Sequence, residues 1–393
     1  MQKKDYNNEL LLKKVKRLET LQELREQLDV VDDQIVRLFE ERMSICEKVG
    51  EYKVGAGKKV FDRIREEEKL ADVAAKVSTD FNKKGVQELY QQLMSMSRKL
   101  QYQKLVKAGA LGRLPFIGIS SLEKKKARIV FPGTVGSYSQ EATKKYFGED
   151  CNSYYVRTFR DAMEAIEEGA ADYAVLPIEN STAGAVDEMY DLLVEFENYI
   201  VGETIIPIRH TLAAYPGAAL SDIERVYSKG VALMLTTRFL DKHPDWQQIS
   251  VANTAIAAKK IMDDKDVSQA AICSRYAAQV HGLSVLEDQI NDETGNSTRF
   301  IVVTNQKVFL EDAKKISICF ELPHESGSLY QILSHFIYND LNMTKIESRP
   351  MEGRSWEYRF FIDFEGNLAD AAVKNAIRGL REESRNLRIL GNY

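Results

Sequence analysis

The sequence predicts three successive folds: an all-helical segment, an alternating α/β segment, and a small α+β segment at the C-terminal end. Three observations carry this reading. Apolar residues near the N-terminus recur at alternating steps of three and four, the buried stripe of a long helix. In the middle, short apolar runs end in polar, glycine-bearing turns that open helices. Towards the C-terminus the runs fall in the order strand, helix, strand, strand, helix, strand. With 393 residues, 44% hydrophobic and 29% charged, the chain is long enough for two or three globular domains.

The first helix is expected over about residues 18–53. Its stripe reads Leu21, Leu24, Leu28, Val31, Ile35, Leu38, Ile45, Val49 and Tyr52, with no Gly or Pro before Gly50. At 1.5 Å per residue such a helix runs about 50 Å, too long to bury its own stripe in a small monomeric domain. A second chain is therefore expected to cover part of it. Stepping four from Leu38 places Arg42 on the stripe, and Lys53 falls on the same face three turns later. A buried cation costs several kcal/mol unless an anion meets it. An internal salt bridge to Asp32, Glu40 or a neighbouring helix would satisfy a lone arginine; two cations on one stripe favour a pocket for an anionic ligand. After a basic turn at Gly55–Lys59, Asp62 can cap a second helix that carries Arg65 and Glu66 on one face of its first turn. A plain intrahelical pair of Asp62 with Arg65 is the alternative. A third helix is expected after Gly85, with Val86, Leu89, Tyr90, Leu93 and Leu100 on its stripe. Ser97 and Gln101 sit one turn apart close to that stripe, so two hydrogen-bonding side chains point inward.

Over about residues 17–105 these positions resemble the all-helical chorismate mutase family. The resemblance implies an intertwined dimer and a catalytic set of Arg25, Arg42, Lys53, Asp62, Arg65, Glu66, Ser97 and Gln101. It further implies that Arg25 reaches into the partner's site, that Lys53 and Gln101 bond the breaking ether oxygen, and that Glu66 bonds a substrate hydroxyl. The residue types suit that reaction. A dicarboxylate rearranging in one unimolecular step needs its reactive conformer held and its developing charge stabilised, not a nucleophile or base. Arginine forks suit the carboxylates.

Residues 108–126, with Gly109, Gly112, Pro115, Gly118 and a Glu-Lys-Lys-Lys run, read as a linker between a helical domain (1–107) and an α/β domain (127–304). A buried strand at Arg128–Phe131 leads into Pro132-Gly133-Thr134-Val135-Gly136-Ser137-Tyr138-Ser139. This loop lacks the Gly-Lys-Ser/Thr end of a Walker A motif and the later glycines of a dinucleotide fingerprint. Ser137 with Gln140 makes a capping box for the helix that follows. A second strand at Tyr173–Ile178 runs into Glu179-Asn180-Ser181-Thr182-Ala183-Gly184. Asn253-Thr254 opens another helix, and Asn296-Ser297-Thr298-Arg299 precedes a strand at Phe300–Val303. Each junction alone is a capped helix; four in one parallel α/β segment predict a cleft at the strand ends for a small anionic ligand.

Three motifs here, Gly136–Ser139, the Leu-Pro-Ile-Glu-Asn run ending at Asn180, and Thr298-Arg299-Phe300, resemble prephenate dehydratase. The resemblance implies two α/β lobes arranged like a periplasmic binding protein, with the site between them. Thr298 would donate to the departing hydroxyl and Asn180 would orient. Arg299 and the Ser137/Ser139 junction would hold carboxylate, with Tyr138, Ser181, Thr182, Ser228 and Phe300 also lining the substrate site. A threonine hydroxyl is a weak acid, so its role is a hydrogen bond rather than full proton transfer. The chain departs from the family after Ser228: Lys229-Gly230-Val231 stands where His-Pro-Gln is usual, and the glutamine expected near Leu235 is missing.

The tail, residues 314–393, reads as a ferredoxin-like βαββαβ sandwich. It resembles the ACT domain in its phenylalanine-binding form through Gly327-Ser328-Leu329 and Glu347-Ser348-Arg349-Pro350, which the resemblance makes the effector-binding residues. Glu347 and Arg349 could equally be a sheet-surface ion pair. Together the three matches resemble the bifunctional chorismate mutase/prephenate dehydratase family with a phenylalanine-responsive tail. Two further readings are a working mutase joined to a dehydratase impaired near Leu235, and an amino-acid or prephenate sensor without turnover.

Composition narrows the class further. A net charge of −5 gives no electrostatic footprint for nucleic acid or an anionic membrane. No run reaches the ~20 apolar residues of a membrane span, and Leu10–Leu12 is too short for a signal-peptide core. Cys46, Cys151, Cys273 and Cys319 lack metal or redox spacing, as do the five histidines, so a cytoplasmic protein with reduced thiols, no metal and no cofactor is expected. The expected partners are chorismate, prephenate, phenylalanine and a second copy of the chain, with a higher oligomer formed through the tail.

Overall fold

The computed structural model describes residues 20–107, 114–322, 324–351 and 353–393. The expectations for Leu10–Leu12 and for Gly109 and Gly112 lie outside the described residues. The contacts divide the chain into two compact units, Met1–Gly112 with Ile377–Glu383, and Arg113–Ala376 with Ser384–Tyr393. Among the described residues no helix is long and apolar enough to cross a membrane.

The first unit is built on α1 (Leu21–Gly55), α2 (Arg63–Ala75) and α3 (Asp80–Lys107). Helix α1 starts later than the periodicity suggests because Thr20 caps it. The Thr20 Oγ1 accepts from Glu23 N at 3.2 Å while the Glu23 carboxylate accepts from Thr20 N at 2.8 Å. Gly50 does not end the helix. It is buried, and a Cβ there would stand 3.0 Å from the Gln101 Cγ, so the missing side chain lets α1 and α3 approach. Asp62 caps α2 as expected, accepting from Arg65 N at 3.2 Å. Helix α3 begins before Gly85, capped by Thr79, whose Oγ1 accepts from Asn82 N. Helices α1 and α2 both pack on α3. The α1 stripe nevertheless lies open in the single chain: Leu28 is 61% exposed, Ile35 55% and Leu38 63%.

The second unit opens with β1 (Ile117–Ile119), β2 (Ile129–Pro132), α4 (Tyr138–Phe147), β3 (Ser153–Val156) and α5 (Phe159–Glu167). It continues through β4 (Tyr173–Asn180), β5 (Gly184–Ala185), α6 (Asp187–Glu195) and β6 (Tyr199–Pro207). A second lobe follows, with β7 (His210–Ala214), β8 (Arg225–Ser228), α7 (Gly230–Met234), α8 (Thr237–Leu240) and β9 (Gln247–Ser250). It closes with α9 (Thr254–Asp264), β10 (Gln269–Ser274), α10 (Arg275–Val280) and β11 (Ser284–Glu287). The chain then returns as β12 (Ser297–Thr304) and β13 (Val308–Leu310). The tail is β14 (Lys315–Glu321), α11 (Ser328–Ile337), β15 (Met343–Met351), β16 (Arg354–Glu365), α12 (Ala371–Glu383) and β17 (Arg385–Asn392), the expected βαββαβ order.

The second lobe is a sheet in the order β11-β7-β10-β8-β9. The other large sheet runs β15-β16-β14-β17-β6-β12-β4-β2-β3, so the tail strands continue the sheet of the first lobe. They join at a parallel contact where Gly391 faces Ile200, and a Cβ on Gly391 would overlap the Ile200 carbonyl. Two expectations change. The middle segment is not purely parallel: β12 runs antiparallel to β4 and β6, and it already includes Ser297–Arg299 ahead of the expected Phe300 start. Within the stretch read as linker, β1 pairs with β13. Ala174–Leu176 and Ile301–Val303 are fully buried, which anchors β4 and β12 up to the ends where Asn180 and Thr298 stand.

Candidate active sites

In the helical unit the 3.6-residue period sets the geometry: Ser97 and Gln101 stack on the inner face of α3, opposite Arg42 and Gly50 of α1. The Arg42 Nη1 donates to Ser97 Oγ at 2.6 Å and to the Leu93 carbonyl at 3.0 Å. Lys53 Nζ donates to the Val60 carbonyl at 2.6 Å. Gln101 is buried, and its Oε1 has no hydrogen-bond partner. Gln101 lies against Gly50 of α1, on the same face of α3 as Ser97. Glu66, expected to bond a substrate hydroxyl, is engaged by Arg98. Arg98 Nη1 donates to both Glu66 oxygens, and its Nε donates to Glu383 Oε1 at 2.7 Å. Burial opposes the Arg98 charge, but Glu383 and Glu66 outweigh it and hold the guanidinium's pKa above its ordinary value. Arg65 points outward and pairs with Glu68 at 3.6 Å. Arg25 is exposed and lies seventeen residues before Arg42, about 25 Å along the helix. It cannot serve the Arg42 group of its own chain.

In the second unit a cleft of about 490 Å³ lies between the two lobes. The register that sets Thr298 opposite Asn180 puts both side chains into it. Asn180 Oδ1 accepts the backbone N–H of Thr182 at 3.0 Å and of Ala183 at 2.8 Å, which fixes the oxygen on that side. Its Nδ2 then donates to Thr298 Oγ1 at 3.0 Å and to Asn296 Oδ1 at 2.7 Å. With its oxygen already accepting, Thr298 has its own hydrogen free for a ligand. Ser137 caps α4, accepting from Gln140 N at 3.3 Å; the return bond from Gln140 takes Gly136 N at 2.7 Å instead of the cap residue. Across the cleft, Tyr138 donates to the Arg209 carbonyl at 3.1 Å and stands 3.3 Å from His210 Nδ1. Burial pushes His210 down to about 4 and Tyr138 well above its ordinary range, so both are neutral at neutral pH. Ser139, Thr182, Asn253, Thr254 and Phe300 complete the polar and aromatic lining.

Residues 24–102 match the family model for chorismate mutase type II, and residues 129–308 match that for prephenate dehydratase. The chain is 31% identical over 382 residues to a bifunctional chorismate mutase/prephenate dehydratase of Aquifex aeolicus (strain VF5), spanning 96% of this chain and 98% of that one. The chain belongs to the bifunctional chorismate mutase/prephenate dehydratase family. Among solved structures, a prephenate dehydratase from Arthrobacter aurescens in complex with L-Phe is 33% identical at a TM-score of 0.62, covering 68% of this chain and 89% of that one. A structure described as a novel type of quorum-quenching acylase is 28% identical at a TM-score of 0.63, covering 68% of this chain and 97% of that one.

Three residues expected in the dehydratase cleft stand elsewhere. Ser228 is fully buried and donates to the Ile272 carbonyl at 2.6 Å. Ser181 ties the turn after β4 to β12, bonding the Gly295 carbonyl and Ser297 N. Arg299 follows Thr298 on the strand, so its side chain leaves by the opposite face. There it pairs with Glu179 at 3.1 Å, Glu203 at 3.3 Å and Asp363 at 3.1 Å, and is not available to a carboxylate in the cleft. Conversely, His210 lines the cleft and was not singled out as a site residue, and Asn296 lines it from one of the polar junctions. His210 opens the buried strand β7 directly after Arg209, a polar start to an apolar run that the sequence did carry. Leu235 and Val231 also line it, so the departure from the family lies in the site itself.

In the tail, Gly327 takes a left-handed conformation (φ 82°) at the start of α11, and Ser328 lines a small cavity with Glu325 and Tyr358. Arg349 pairs with Asp187 at 2.7 Å and Asp191 at 2.9 Å on α6. Glu347 stands 3.9 Å from Lys345, which itself pairs with Glu179 at 2.7 Å. Pro350 lines a different groove, beside Arg160 and Arg359, and Ser348 is exposed. Within one chain Ser328 and Pro350 thus line separate cavities.

Proposed function

We propose that the helical unit rearranges chorismate to prephenate and that the cleft converts prephenate to phenylpyruvate, with phenylalanine damping the flux through the tail. The single observation that carries the second step is the Asn180–Thr298 pair, which aims a threonine O–H into a cleft whose partner strands hold it in register. In that step the ring hydroxyl and the ring carboxylate leave together. The electrons of the breaking carbon–carboxylate bond enter the ring, CO2 departs, and hydroxide leaves from the opposite ring carbon to end as water. Aromatisation drives the change, so the protein's task is to stabilise charge on the departing oxygen, the role given to Thr298. In the mutase, Arg42 holds a carboxylate, and Lys53 with the Gln101 amide meets the ether oxygen. Arg25 comes from a second copy, which its 25 Å separation and the open α1 stripe support, so the working form is a homodimer.

The tail is an ACT domain of ferredoxin-like build. Ser328 of one motif and Pro350 of the other line separate cavities in one chain, which supports an effector site shared between two copies. The reading is tested by supplying purified prephenate and following phenylpyruvate with and without phenylalanine. Product that falls as phenylalanine rises is expected. Binding of prephenate without turnover would overturn it in favour of a sensor.

A further inference from the structure

The dehydratase substrate is a dianion, yet the arginine expected to hold it is locked on the far face of β12 by three carboxylates. No aspartate, glutamate or arginine is among the cleft-lining residues described, and the one histidine, His210, is buried and neutral. One cation remains. Lys229 lines the cleft from the second lobe, at the turn between β8 and α7, and faces the lobe that carries Asn180 and Thr298. Its backbone carbonyl accepts from Ala232 and Leu233 N–H groups, which fixes the turn, while its ammonium makes no ion pair among the described residues. Val231 and Leu235, on the same short segment, give that wall an apolar surface with a single charge at its edge.

We propose that Lys229 binds the pyruvyl carboxylate of prephenate and makes the cleft selective for the keto acid over its amino counterpart, arogenate. Prephenate has two carboxylates, and chemistry separates them. The ring carboxylate must shed its charge as CO2, so a cation paired with it would stabilise the ground state and slow the reaction. The pyruvyl carboxylate keeps its charge throughout, and a cation there gives uniform binding. In arogenate an ammonium sits on the carbon beside that carboxylate, leaving this end without net charge and setting like charges together at Lys229.

The inference rests on the dehydratase reading, and the experiment separates the two. The full-length chain is compared with Lys229→Met and Lys229→Arg, using prephenate and arogenate as substrates and the mutase rate as a check that each variant is folded. Lys229→Met should raise KM for prephenate about tenfold or more with little change in kcat, the signature of lost uniform binding. Its preference for prephenate over arogenate should shrink, and Lys229→Arg should restore most of both. An unchanged KM, or an unchanged preference, overturns the proposal. A wild-type chain inert towards prephenate overturns the dehydratase reading instead. Titration calorimetry with prephenate then decides Lys229, and equal binding by wild type and Lys229→Met, or none by either, refutes its role.

Discussion

Asn180→Asp is the sharpest perturbation of the dehydratase cleft, because it changes one group and no volume. In the native site the Asn180 oxygen is pinned by two backbone N–H groups, so its NH2 must face Thr298 and Asn296. Aspartate keeps the pinned oxygen and places a second, charged oxygen where the NH2 was. The Thr298 hydroxyl then turns its hydrogen towards that carboxylate, 3.0 Å away, and no longer offers it to the departing hydroxyl. Losing one preorganised donor at a developing oxyanion costs roughly 3–4 kcal/mol, or about 10²–10³ in rate. Phenylpyruvate formation from saturating prephenate should therefore fall by about that factor, with the mutase rate unchanged. Retention of kcat within about threefold would refute the donor role of Thr298, since the aspartate leaves that hydrogen no other direction.

Lys53→Ala should lower the mutase kcat by about 10²–10³, the worth of one donor to the ether oxygen, while phenylpyruvate formation from prephenate holds; equal loss of both rates would break the division of labour. Ile35→Glu places a charge on the open α1 stripe, where Ile35 is 55% exposed in the single chain. It should convert dimer to monomer in light scattering and take mutase activity with it, because Arg25 then lacks a partner site to enter; an active monomer would contradict that. His210 gives a pH signature. Its folded-state pKa, lowered to about 4 from 6.5, means the unfolded chain takes up the proton first as pH falls. The stability that His210 confers is full above about 6.5 and is lost as pH drops towards 4, roughly 3 kcal/mol in all. Asn at this position should flatten the acid dependence of unfolding between those values, followed by calorimetry; an unaltered slope would mean the imidazole is already free to protonate.

Helical arithmetic made much of the mutase site legible. A period of 3.6 puts Arg42 on the α1 stripe and Ser97 beside Gln101 on α3, and the structure joins Arg42 to Ser97. The same arithmetic could not show Arg98, one residue past Ser97, taking Glu66, since that depends on where α2 lies across α3. In the cleft, Asn180 and Thr298 were recognisable from their motifs. Arg299 was misplaced because a strand sends neighbouring residues to opposite faces, and only the antiparallel pairing of β12 decides which face looks into the cleft. The open α1 stripe was foreseeable as a seam too long for one chain. Lys229 was visible only as a departure from a family pattern, and its meaning rests on finding every other candidate cation engaged or neutral.

The most direct test supplies the purified chain with chorismate alone and follows all species by proton NMR. Chorismate should pass through prephenate to phenylpyruvate with no second protein added, and phenylalanine should slow the appearance of phenylpyruvate. Prephenate that accumulates and stays would contradict a two-reaction chain, leaving a mutase joined to a cleft that binds without turning over.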